Sequence, residues 1–254
     1  MTLIVGIKCN DGVVVGADGA ATLGNLSQNT ARQPVRKLIS VSNSMIVGIA
    51  GSVGLSQFLS DSIHTLWDAG GLKGKQPVQG MGILRDTLRP HAFREIQAAG
   101  SVRSAIGDNA LKSALCATVV AVTLARTDCL FQFDHQAAPE AATSDLPFIA
   151  IGSGQTIADP FLSFLRKIFW PGRLPSLSEG VLATLWSLRH AIETNPGGVA
   201  DPIQIMTLSS GKVHELDAAE LIEHSQAIEA AERALSGFRD AMASGSSEPP
   251  PVPT

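Results

Sequence analysis

The chain has 254 residues, with 44% hydrophobic and 17% charged residues and a net charge of −4, a globular composition that excludes disorder over most of its length. The acidic balance argues against a nucleic-acid-binding module, and no apolar run reaches the roughly 18–20 residues that a membrane span needs. Cys9, Cys116 and Cys129 are odd in number and widely spaced, so neither a disulfide framework nor a zinc site is expected, and a reducing cytoplasm is the expected compartment.

The first elements read as strands. The run at 2–8 is β-branched and ends at Asn10-Asp11-Gly12, a hairpin turn signal, with a second apolar run at 12–18 behind it. Residues 21–34 are polar and are expected to form turns. A second hairpin is expected over 36–51, turning at Ser42-Asn43-Ser44. These strands are apolar on both faces, so the sheet needs a layer on each side. Two helices are expected at 53–69 and 79–98, from apolar residues at helical spacing, with Pro90 kinking or splitting the second. They carry many apolar residues for a surface layer, Leu66 and Trp67 among them, which marks a subunit interface. Strands are expected at 117–125, 129–134 and 147–152, helices at 155–169 and 178–193, and a last hairpin turning at Ser209-Ser210-Gly211. A helix over about 217–241 precedes a Pro/Ser-rich tail. Helices thus come in pairs and strands in adjacent runs. That order excludes βαβ alternation and predicts an α+β fold, a four-layer αββα sandwich of antiparallel sheets. One domain is expected over 1–242, with a disordered tail at 243–254.

Two segments could carry chemistry. Thr2 follows the initiator methionine, and its small side chain makes removal of Met1 the expectation. The mature chain then begins with a hydroxyl beside its own α-amine, a base with an ordinary pKa of about 7.7–8.0. The rival is Ala50-Gly51-Ser52-Val53-Gly54, a variant nucleophile elbow between a strand and a helix, with Asp201 and His214 in the chain order of an α/β-hydrolase. That fold needs a parallel sheet, which the hairpins argue against. The six histidines show no metal spacing, and Gly48–Gly54 lacks the Gly-Lys-Ser/Thr of a phosphate loop. No cofactor or metal is expected.

Residues 2–25 together with 36–54 resemble the proteasome β-subunit family of N-terminal nucleophile hydrolases, most closely HslV and the bacterial proteasome homologues. The resemblance rests on Thr2, Asp18 sixteen residues later, the run Asp18-Gly19 through Leu23-Gly24-Asn25, Lys37-Leu38-Ile39, Ala50-Gly51 and the turn Ile151-Gly152-Ser153-Gly154. It implies Thr2 as nucleophile, Lys37 as a charge acting on it, Asp18 orienting Lys37, the Gly51 N–H as oxyanion donor and Ser153 bonded to the Thr2 amine. A gap-free comparison with HslV puts Pro34 at the lysine position, whereas the spacing of 14 residues back from Gly51 selects Lys37. The family's late Asp-x-x-Ser-Gly-Gly segment reads here Glu193-Thr194-Asn195-Pro196-Gly197-Gly198, so Glu193 stands for the acid and Pro196 for the serine. By the same resemblance, substrate adds as a strand beside Thr22 and the strand at 48–51, which holds Ile49 and Ala50, with Ala21, Val35, Ile49 and Val53 around an apolar P1 pocket. The implied function is a cytoplasmic threonine endopeptidase of a stacked double ring of identical subunits. Its substrates would be peptides or unfolded proteins, any ATP use belonging to a separate unfoldase. A non-catalytic ring subunit and a Ser52 hydrolase are the alternatives.

Overall fold

The computed structural model describes residues 2–25, 28–107, 109–195 and 198–243. In chain order its elements are β1 (Leu3–Lys8), β2 (Val13–Ala17), β3 (Ala20–Asn25), β4 (Gln28–Pro34), β5 (Leu38–Val41), β6 (Met45–Gly51), α1 (Val53–Asp68), α2 (Pro77–Ile106), α3 (Asn109–Ser113), β7 (Cys116–Leu124), β8 (Thr127–Phe133), β9 (Pro139–Ala141), β10 (Phe148–Gly152), α4 (Gln155–Phe169), α5 (Leu177–Thr194), β11 (Gln204–Ser209), β12 (Lys212–Glu215) and α6 (Ala218–Ala243). The chain separates into two compact units, one through Leu216 and one from Asp217 onward.

The first unit holds two five-stranded sheets, ordered β10-β1-β2-β11-β12 and β5-β6-β7-β8-β9, and every described strand pair is antiparallel. The central strands force the layering. Every residue of β2 and all but the last of β1 are buried, so their sheet must be covered on both faces. Ile4, Val13 and Val15 meet Leu38, Ile46, Val119 and Leu130 between the sheets. On the outside of the second sheet, Leu55, Leu59 and Ile63 of α1 and Leu84 and Leu88 of α2 pack on Val47, Val120 and Phe131. On the outside of the first, α5 buries Val181, Leu185 and Leu188 and packs on β1, β2 and β11, while α4 packs on β10. The result is the expected four-layer αββα sandwich. Each fully buried Leu, Ile or Val in these three cores contributes about 1.5–3 kcal/mol.

Four local expectations are corrected. The polar stretch at 21–34 is not turns alone, because it forms the β3–β4 hairpin, a two-stranded sheet of its own. Pro90 does not split the helix into two elements, and α2 runs as one element from Pro77 to Ile106. The ring sits on the exposed side, where the carbonyl it leaves unbonded can meet water, while Leu84, Leu88 and Ala92 anchor both halves in the core. Leu66 and Trp67, expected to face outward, are half-buried and pack in part against the α1–α2 core. The short strand β9, paired with β8, was not expected.

The second unit is α6. Asp217 starts it with a capping box: its Oδ1 accepts from the Ala219 and Glu220 N–H groups, and Glu220 Oε2 accepts from the Asp217 N–H at 2.8 Å. Of the tail expected at 243–254, Ala243 ends α6 instead, and 244–254 lie outside the described residues.

Candidate active site

Strand register brings the N-terminus to two strand ends. β1 runs antiparallel to both neighbours, pairing Leu3 with Gly152 and Ile4 with Ala17. Thr2 therefore emerges between Asp18, just past β2, and Ser153, just past β10. The Thr2 N–H donates to Ser153 Oγ at 3.2 Å, and the Gly154 N–H donates to the Thr2 carbonyl at 3.2 Å. Gly152 is held at φ +95°, and a Cβ there would stand 2.2 Å from the Thr2 carbonyl oxygen. The close approach of these strand ends therefore requires glycine.

Asp18 is fully buried and its carboxylate is saturated. Oδ1 accepts from the Leu3 N–H at 2.8 Å and from Lys37 Nζ at 2.6 Å, while Oδ2 faces the Ala20 and Ala200 N–H groups at 3.4 and 3.3 Å. One oxygen thus joins the lysine to the first strand residue after Thr2. The Lys37 side chain is only 7% exposed. Burial pushes its pKa below the ordinary lysine value, and the hydrogen bond and negative charge of Asp18 oppose that shift. A buried pair of this kind costs about 3–5 kcal/mol when one partner is removed, because the other charge is left uncompensated. Lys37 stands before β5, and it is Lys37, not Pro34 at the end of β4, that reaches Asp18.

Gly51 closes β6 opposite Cys116 of β7, at φ +137°, and a Cβ there would sit 2.1 Å from the Leu115 carbonyl oxygen. Behind it the Cys116 thiol donates to the Ser52 carbonyl at 3.3 Å, and burial pushes that thiol's pKa up to about 11. Ser52 caps α1, its Oγ accepting from the Leu55 N–H at 3.5 Å. β6 is antiparallel to both β5 and β7, so Ser52 lacks the parallel strand-to-helix setting of a nucleophile elbow. His214 lies on β12 of the other sheet.

Thr2, Gly51 and Ser153 share a cleft of about 840 Å³. Ala50 and Val53 line it as well, and Lys112, Gln132, Asp134 and His135 are polar members of its lining. Of the other residues expected around a substrate, Ala21 and Thr22 lie on β3, Val35 follows β4, and Ile49 packs toward the α1–α2 core. Ala21, Val35 and Ile49 are not among the described residues that line the cleft. Glu193 is exposed in the last turn of α5, and among the described residues it makes no hydrogen bond or ion pair to Thr2, Asp18 or Lys37. The stretch after α5 reaches the site through the Ala200 N–H instead. Pro196, expected in place of a serine, lies outside the described residues. Sequence reasoning missed Ala200, Cys116 and Gln204. The last is a single polar residue inside the apolar run at 203–206, and its side chain bonds the backbone of Lys37 and Leu38.

Residues 2–79 match the family model of the proteasome subunit. Curated relatives include proteasome subunit beta of Methanococcus aeolicus, 47% identical over 58 residues, covering 23% of this chain and 25% of the relative. Proteasome subunit beta 1 of Streptomyces avermitilis is 29% identical over 196 residues, covering 76% of this chain and 61% of the relative. The chain thus spans less than two thirds of the length of these relatives. Among solved structures, the Anbu Gly-1 mutant from Hyphomicrobium sp. strain MC1 superposes with a TM-score of 0.68 at 18% identity, covering 99% of this chain and 100% of that one. The Anbu complex from Pseudomonas aeruginosa, solved as a helical assembly, gives 0.69 at 17% identity, covering 99% and 98%. The chain has the fold of these two solved structures, and its first third is similar to proteasome subunits.

Proposed function

We propose that the protein is a threonine peptidase whose nucleophile is Thr2, exposed by removal of Met1. The observation that carries this reading is the buried Lys37–Asp18 pair joined through Oδ1 to the Leu3 N–H, one residue from the N-terminus. A buried charge pair of doubtful net stability is expected where its charge serves chemistry. The Thr2 amine, hydrogen-bonded to Ser153, takes the hydroxyl proton as Oγ1 attacks the scissile carbonyl. The Lys37 ammonium keeps that amine neutral and stabilises the forming alkoxide. The Gly51 N–H receives the developing oxyanion, an interaction worth about 3 kcal/mol. The amine then passes its proton to the leaving amine, an ester to Thr2 remains, and water activated by the same amine releases the acid.

The substrates on this reading are peptides or unfolded protein, with small to medium apolar P1 side chains. Identical subunits would assemble with their threonines facing a shared chamber, as a double ring. The helical assembly of the Pseudomonas Anbu complex supplies the open alternative to ring closure. An ATP-dependent unfoldase would be a separate, cytoplasmic partner. No described helix is long and apolar enough to cross a membrane.

The test is direct. The mass of the purified chain should lack the initiator methionine. Thr2→Ala should abolish cleavage of a fluorogenic peptide while leaving the melting temperature and assembly unchanged, and a threonine-directed epoxyketone should bond to Thr2. Unchanged turnover in Thr2→Ala, or an adduct mapped to Ser52, would overturn the reading.

A further inference from the structure

β5 is an edge strand of its sheet, so the outward N–H and C=O groups at its start face no neighbouring strand. The side chain of Gln204 takes that place. Its Oε1 accepts from the Lys37 and Leu38 N–H groups at 3.3 and 3.1 Å, and its Nε2 donates to the Leu38 carbonyl at 3.2 Å and to Glu215 Oε1 at 3.3 Å. Both ends of the amide are used. Glutamate would offer no donor to the Leu38 carbonyl and would set a second carboxylate beside Glu215. Asparagine is one methylene short, and leucine offers nothing.

The position of Gln204 links this clamp to the ion pair. On β11, Gln204 is opposite Ala17 of β2, the residue before Asp18. Asp18 therefore hangs from β2 by chain continuity, and Lys37 hangs from the adjacent strand β11 through the Gln204 amide. The two partners come from different sheets, yet both are referred to one pair of strands. A lysine side chain is long and flexible, so where its ammonium rests depends on where its backbone is fixed.

We infer that Gln204 is a positioning residue for the reaction: it sets the Lys37 backbone so that Nζ stands on Asp18 and beside the N-terminal nucleophile. The inference rests on the reading of Thr2 as that nucleophile. If Lys37 is displaced, its charge no longer holds the Thr2 amine down, and the amine moves toward the ordinary α-amine value of about 7.7–8.0. Substrate is not held by Gln204, so the effect falls on the chemical step.

The test compares the full-length wild-type chain, processed at Met1, with Gln204→Leu. Competitive trace labelling of the Thr2 α-amine across pH gives its pKa without any turnover. Peptide cleavage gives kcat and KM separately. In Gln204→Leu the amine pKa should rise, kcat should fall by about tenfold or more, and KM should stay within about twofold. Should Gln204→Leu not fold, Gln204→Asn, which keeps donor and acceptor but withdraws both, serves the same comparison. An unchanged amine pKa and kcat with only a lowered melting temperature would mean that Gln204 merely supports β5, and the inference fails. A wild-type Thr2 amine that does not react, or a fully active Thr2→Ala, overturns the nucleophile itself and the inference with it, whatever Gln204 does.

Discussion

On the proposed mechanism, Lys37 is a charge acting on the nucleophile, whereas Glu193 makes no hydrogen bond or ion pair to Thr2 among the described residues. Lys37 is buried against Asp18, where water screens its field poorly and a nearby proton transfer feels it by several kcal/mol. Glu193 is exposed at the end of α5, where solvent damps its field. Lys37→Ala is therefore expected to cut peptide turnover by orders of magnitude, and Glu193→Gln by tenfold at most, about 1.4 kcal/mol of barrier. Lys37→Arg should also fail, since a broad guanidinium cannot replace a compact ammonium on a saturated carboxylate. Near-wild-type turnover in Lys37→Ala would reject the lysine's role. The pH profile follows from the same pair. Turnover should rise as the Thr2 amine loses its proton and fall as Lys37 loses its own. Burial lowers the Lys37 pKa, so the alkaline fall should come below the ordinary lysine range. Asp18 opposes that shift, so in Asp18→Asn the alkaline limb should move to lower pH still. An alkaline limb that stays in place in Asp18→Asn would show that another group titrates there.

At the scale of elements, close approaches at strand ends and helix faces decide which small residues can change. Gly152→Ala would push a methyl into the Thr2 carbonyl at a positive φ. It is expected to cost on the order of 1–3 kcal/mol and to abolish turnover, read by thermal melts beside peptide cleavage. On α2, Gly82 has open space where a Cβ would go, whereas a Cβ on Gly80 would lie 2.4 Å from the Leu124 side chain. Gly82→Ala should therefore stabilise by about 0.5–1 kcal/mol, and Gly80→Ala should destabilise. Equal shifts in the two melts would reject the packing argument. These contrasts also mark what sequence could reveal. Alternating turn signals and doubly apolar strands made the αββα layering legible, because buried central strands have a composition of their own. The resemblance to the proteasome β-subunit family, not composition or periodicity, pointed to Asp18, Lys37 and Ser153. Gln204 and Ala200 were not legible, because one acts through a side-chain amide and the other through a backbone N–H, and neither has a periodicity. The β3–β4 hairpin was missed for a similar reason, as its ladder bonds are made by backbone that any polar sequence can supply.

For the whole molecule, the sandwich leaves apolar side chains exposed on both outer layers. Val53, Phe58 and Val78 stand out on the α1–α2 side, and Phe164, Ile168 and neighbouring Phe169 on α4. Scattered single apolar residues on a surface need no explanation, but clusters on helices usually mark interfaces. A single twofold contact can cover only one of two opposite faces, so a dimer would leave the other layer wet. The expected species is therefore larger than a dimer of the 254-residue chain. If the repeated contact closes, light scattering should give one mass that does not change with concentration. If it does not close, the mass should climb as protein is added. Phe58→Glu and Phe164→Glu, on opposite layers, should each interrupt assembly at a different intermediate, because each removes one kind of contact and spares the other. Both substitutions sit on exposed side chains, so the monomer fold should melt as in the wild type. A wild-type chain that stays monomeric at micromolar concentration would leave both apolar layers without a role, and would remove the chamber from the proposed function.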